Sequence, residues 1–188
     1  EAVTGIGTSV SIFSTWQHTD VADQIWVTQR LPEAREGARA SLFESLGAEA
    51  AASKRHPILG VDPVACTEQL GEPGPWYERL AHFKLEFTPS AGAEIQSEYL
   101  VPRADAVAAI QAVRSLAGQI APLLLVNEIR TVKADELFHR ITENEIRFET
   151  VELTLVASDR ALWVNWSISS AMRWSGLSAR FSPKHMRQ

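Results

Sequence analysis

Polar and apolar residues alternate over 8–15, with Val10 and Ile12 on one side and Ser9 and Ser11 on the other, the pattern of a half-buried strand. The β-forming run Ile25, Trp26, Val27 and Thr28 predicts a second strand over 24–29, placed to pair with the first. The period then lengthens. Ala38, Leu42, Phe43 and Leu46 recur at helical spacing within 32–52, and Gly47 supplies a stop. Alternation returns over 95–101, where Ile95, Ser97, Tyr99 and Val101 share one face and Gln96 and Glu98 the other, before Pro102 and Arg103 close the strand. A helix is predicted over 105–117, with a stripe of Val107, Ile110, Val113, Leu116 and Ala117 and with Gly118 just past its end. The next strand is 123–130. Strand, helix and strand in so short a stretch predict an α+β fold, mainly an antiparallel sheet with helices on one face, of ferredoxin-like type. A further helix is predicted over 133–148, with Leu137, Phe138, Ile141 and Ile146 inward. Strands over 151–156 and 162–168 follow, joined by a connector of hairpin length at 157–160. Beyond Ser170 no period stands out.

The stretch 55–89 has a different texture. Pro57, Gly60, Pro63, Gly71, Pro73, Gly74, Pro75 and Pro89 interrupt every element, yet Trp76, Tyr77, Leu80, Phe83, Leu85 and Phe87 are interleaved among them. Disordered linkers are poor in aromatic residues, so this is read as a long, ordered, packed loop, a kind that is uncommon unless it serves a function.

At 188 residues, 45% apolar and 22% charged, the chain has the composition of an ordinary globular domain. A chain of this length buries roughly 70% of its unfolded surface and needs no covalent staples. Its net charge of −5 argues against nucleic acid as a partner. The apolar run 120–126 contains Pro122 and is too short to cross a bilayer. Residues 1–14 lack the basic start and continuous apolar core of a signal peptide, so the expected location is the cytoplasm. The lone Cys66 excludes an internal disulfide, and His18, His56, His82, His139 and His185 show no metal-ligand spacing. No metal site is expected. The first residue is Glu1 and the two methionines are Met172 and Met186, which leads us to expect a piece of a longer protein.

Three polar groups could carry chemistry. Glu128 and Arg130 are two residues apart on a predicted strand, so they point to one face with Cβ atoms about 7 Å apart. A carboxylate that accepts and a guanidinium that donates can hold a sugar or polyol hydroxyl from two sides. An ordinary surface ion pair is the commoner meaning of that spacing. The triplet Gln96, Ser97 and Glu98 fits a solvated sheet face. Trp163, Asn165 and Trp166 could stack on and bind a flat ligand, although packing is the default for tryptophan. There is no glycine-rich strand–turn–helix fingerprint for a nucleotide and no GxSxG elbow.

The motif series His56-Pro57-Ile58-Leu59-Gly60, Cys66-Thr67-Glu68-Gln69-Leu70-Gly71, Pro73-Gly74-Pro75-Trp76 and His82-Phe83 resembles FAD-dependent alditol oxidases. So do Thr88-Pro89-Ser90, Gln96-Ser97-Glu98-Tyr99, Val101-Pro102-Arg103, Glu128-Ile129-Arg130-Thr131-Val132 and Ala134-Asp135-Glu136-Leu137. The resemblance covers residues 8–137. These enzymes stand close to the D-arabinono-1,4-lactone oxidases, among flavoproteins of the vanillyl-alcohol-oxidase type. The resemblance implies an N-terminal domain that holds FAD and a substrate domain that caps the flavin, and it places residues 1–188 in the second. It implies oxidation of a CH–OH group in an alditol of the xylitol or sorbitol kind, or in a sugar 1,4-lactone. Hydride passes to the flavin, and O2 is reduced to H2O2. Glu128 and Arg130 are then the expected catalytic pair on the substrate's terminal hydroxyls, and the isolated chain is expected to be inactive without its FAD domain.

Residues 138–188 depart from the family. Ala161-Leu162-Trp163-Val164-Asn165-Trp166 resembles its substrate-contacting strand, with Trp163 where an active-site histidine is expected and Asn165 beside it. Arg173-Trp174-Ser175-Gly176 lacks the lysine expected there. Loss of one such group costs on the order of 100-fold in rate. A non-catalytic carbohydrate-binding or interaction domain that kept the fold is therefore the alternative expectation.

Overall fold

The computed structural model describes residues 7–18, 20–30, 44–87, 94–132, 150–158 and 180–186. The chain divides into two compact units, one of Glu1–Val10 with Trp26–Pro89 and one of Ser11–Ile25 with Ser90–Gln188. Six strands are described: β1 (Ser9–Ser14), β2 (Gln24–Thr28), β3 (Glu94–Pro102), β4 (Leu124–Val132), β5 (Thr150–Ser158) and β6 (Arg180–Met186). They lie in one sheet in the order β2-β1-β4-β5-β3-β6. Every neighbouring pair from β1 to β6 in that order is antiparallel.

In the second unit, β3 and β4 are joined by helix α1 (Ala106–Ser115) and the short helix α2 (Ala117–Ile120), but they are not neighbours, because β5 lies between them. The fold is α+β, with this split strand–helix–strand unit at its centre. The second helix of a complete ferredoxin-like fold would fall in 159–179, outside the described residues, as do the helix expected over 133–148 and the strand expected over 162–168. The helix expected from residue 32 onward is described only at its end, where Glu44 and Ser45 are helical and Gly47 takes φ 71. That left-handed turn is one that glycine adopts without a steric penalty.

Alternation along the strands sorts the two sheet faces. Tyr99 and Val101 from β3, Leu153, Leu155 and Ala157 from β5 and Leu124 from β4 bury against Ala109, Val113, Ala117 and Ile120 of the helices. The helical stripe differs from the expected one in part: Val113 and Ala117 are buried and Ile110 and Leu116 pack half-buried against the core, but Val107 is 67% exposed, and Ala109, Ala112 and Ile120 join the buried set. Gly118 does not end the helix but lies inside α2. The helix breaks before it, at Leu116, whose backbone N–H bonds Val113 O and which caps α1 and starts α2. Ala117 and Ile120 continue the buried line of Ala109 and Val113 at ordinary helical spacing. Strand β1 is buried on both sides, with Phe13 and Ser11 on one and Ser14 on the other. It lies between β2 and β4 in the sheet, so both of its edges are paired. The period-free tail supplies β6, the last of the described strands in that order, paired with β3.

The first unit contains the long loop. Cys66 bridges Phe83, Thr67 N–H donates to His82 O at 3.0 Å, and Lys84 N–H donates to Ala65 O at 3.0 Å. The Arg79 guanidinium donates to the carbonyls of Glu72, Pro73 and Glu78 and holds the Gly71–Pro75 bend. Lys54 bonds the Glu68 carboxylate and holds its pKa below the usual range. The loop is thus ordered, but only partly packed. Trp76 is 74% and Leu85 92% exposed.

Candidate functional site

The sheet face away from the helices is the polar one. Register places Phe13, Glu128, Thr154 and Glu98 in one row across β1, β4, β5 and β3. Ser11, Arg130 and Glu152 stand in the next row. Val126, Val156 and Gln96 form the row on the other side. Strands are spaced about 4.8 Å apart, so the backbone positions of Glu128 and Glu98 are about 10 Å apart. Gln96 Nε2 donates to Glu98 Oε1 at 3.1 Å. Acceptors and donors therefore line this strip, in which Phe13, Ser11 and Thr154 are buried. Glu128, Arg130, Gln96 and Glu98 are half-buried, whereas Thr154 is only 6% exposed.

A β-bulge sets which side chains reach this face. The β4–β5 register shifts between Leu124 and Val126, where Leu124 opposes Ala157 and Val126 opposes Val156. The extra residue reverses the alternation. Leu124 thereby enters the helix-side core, while Val126, Glu128 and Arg130 lie on the other face.

Glu128 and Arg130 share a face, as their spacing predicts, and Gln96 and Glu98 share it with them. Ser97 is buried on the helix side. Trp163 and Asn165 lie outside the described residues. The sequence reading missed Thr154, which only the strand register reveals. It also missed Asn127, fully buried on the helix side of β4 directly before Glu128. Asn127 Oδ1 accepts from Trp16 Nε1 at 3.0 Å, and its Nδ2 donates to Thr154 O at 2.9 Å and Glu128 O at 3.2 Å. An amide directly after the apolar run 123–126 is a signal, since a buried amide needs partners. The identity of those partners is not encoded locally.

The described residues offer no cradle for a dinucleotide. An added Cβ at Gly47, Gly60 or Gly71 would meet no atom of the chain within 4 Å. At Gly7 and Gly74 it would run into the chain's own Val27 and Arg79. No step of chemistry is assigned to FAD within this chain. No helix among the described residues is long and apolar enough to cross a membrane.

No family model matches the chain. It is similar to alditol oxidase from Streptomyces sp. (strain IKD472 / FERM P-14339), with 43% identity over 136 residues. That stretch is 72% of this chain and 31% of the relative, so the chain spans about a third of the protein it matches. At this identity over most of its length, the chain belongs to the alditol oxidase family, a family of oxidoreductases.

Proposed function

We propose that residues 1–188 form the substrate-binding part of an FAD-dependent oxidoreductase that oxidises a CH–OH group of an alditol or sugar 1,4-lactone with O2, giving H2O2. The carrying observation is that Glu128 and Arg130 emerge side by side on the polar sheet face, in register with Thr154 and next to Gln96 and Glu98. The Glu128 carboxylate accepts from a substrate hydroxyl and the Arg130 guanidinium donates to one, so together they orient the terminal carbon. Trp163 and Asn165 are further candidates for contacting substrate.

FAD supplies the redox chemistry and is bound by a separate N-terminal domain. The chain alone is accordingly inactive. After mixing with FAD and gel filtration, the purified chain is expected to elute without the flavin's visible spectrum. A stoichiometric yellow complex that oxidises xylitol would contradict the inactivity of the chain alone. In the holoenzyme, Arg130→Ala is expected to lower kcat/KM for xylitol by about 100-fold, the scale of losing one positioned charge donor. Unchanged kinetics would remove Arg130 from the site.

A further inference from the structure

We propose that Trp16 and Asn127 are a pair of positioning residues that set where Glu128 and Thr154 emerge on the substrate face; this inference rests on the alditol reading of that face. Asn127 projects to the helix side, so it cannot touch a molecule bound on the opposite face. Its amide nevertheless bonds the main chain at both positions that matter there, Glu128 O and Thr154 O, and these two residues are direct cross-strand partners. One buried side chain thus ties the β4 and β5 backbones together behind the site.

The amide is itself oriented from β1. Trp16 Nε1 occupies its oxygen, which leaves the nitrogen directed at the two carbonyls. Trp16 holds φ 58, a left-handed conformation that is costly for a bulky side chain and persists only where surrounding bonds over-determine it. Those bonds are present. Trp16 N–H donates to Ser14 Oγ at 3.0 Å, Thr15 bonds the Asp23 carboxylate through both N–H and Oγ1, and Asp23 N–H donates to Phe13 O at 2.9 Å. A core built only for stability would fill this space with apolar side chains and avoid desolvating an amide and an indole N–H. The polar arrangement fixes direction, and a displacement of about 1 Å at a reacting group can cost about 100-fold in rate.

The test is a double-mutant cycle in the holoenzyme, reading kcat and KM for xylitol from H2O2 release. Trp16→Phe removes the indole N–H and keeps most of the ring, while Asn127→Ser removes the amide. With Glu128 present, each is expected to lower kcat/KM by about 10-fold, mainly through kcat. In a Glu128→Gln background the further loss is expected to shrink to about twofold or less, because residues acting through one another are not additive. Losses that multiply with that of Glu128→Gln, or a Trp16→Phe enzyme with parental kinetics, would overturn the inference alone. A Glu128→Gln enzyme with parental kinetics would overturn the alditol reading and the inference with it. If Asn127→Ser does not fold, Trp16→Phe decides.

Discussion

The indole Nε1 of Trp16 donates to Oδ1 of Asn127 over 3.0 Å, joining two residues 111 positions apart in sequence. Both are buried. Removing the donor leaves a buried amide oxygen without that partner, at a cost of about 1–3 kcal/mol. Trp16→Phe is therefore expected to lower the unfolding free energy of the second unit by that amount, measured by urea denaturation. A midpoint equal to the parent's would show that the bond contributes nothing to stability.

Burial along the two helices predicts which of their side chains matter. Ile120 is fully buried, so Ile120→Ala is expected to destabilise by about 2–5 kcal/mol. Val107 faces outward, and Val107→Ala is expected to fall within about 0.5 kcal/mol of the parent. Thermal unfolding of the two variants checks the pair. Equal losses would restore the uninterrupted stripe that the sequence alone predicts.

Burial pushes the Cys66 thiol pKa up, and Lys54 and Lys84 offset only part of that. A thiol held protonated and out of solvent reacts slowly, so Cys66 is expected to resist maleimide at neutral pH until the chain unfolds. The thiol's contribution to stability is intact below the ordinary thiol range and is lost as pH rises through the folded pKa. Rapid labelling of the folded chain at neutral pH would contradict this.

Arg79 predicts the behaviour of the bend before it. Its planar fork donates to Glu72 O at 3.0 Å, Pro73 O at 3.1 Å and Glu78 O at 3.1 Å, a set that one ammonium group cannot reproduce. Arg79→Lys is expected to speed hydrogen exchange and proteolysis within 71–79. Gly74→Ala is expected to do the same, because a Cβ at Gly74 would occupy the guanidinium's space. Protection equal to the parent's in both would show that Arg79 does not organise the bend.

The sequence is legible wherever one face of an element meets one environment. Strict alternation identifies β3, and the two-residue spacing puts Glu128 and Arg130 on a common side. It fails where parity changes. Neither the bulge between Leu124 and Val126 nor the break at Leu116 leaves a mark in hydrophobic period. It fails again where partners are distant. Thr154 reads as one polar position in an apolar strand until the register sets it between Glu128 and Glu98, and β6 has no period of its own yet pairs with β3. The motif-rich loop is legible as ordered, but the exposure of Trp76 and Leu85 is not, because aromatic content shows that a segment can pack without showing what covers it.

The most direct test of the account is a crystal structure of the holoenzyme with a bound alditol such as xylitol. The account predicts hydroxyl oxygens within hydrogen-bond distance of both the Glu128 carboxylate and the Arg130 guanidinium, on the sheet face that also carries Thr154. An alditol bound productively with neither group in contact would contradict it.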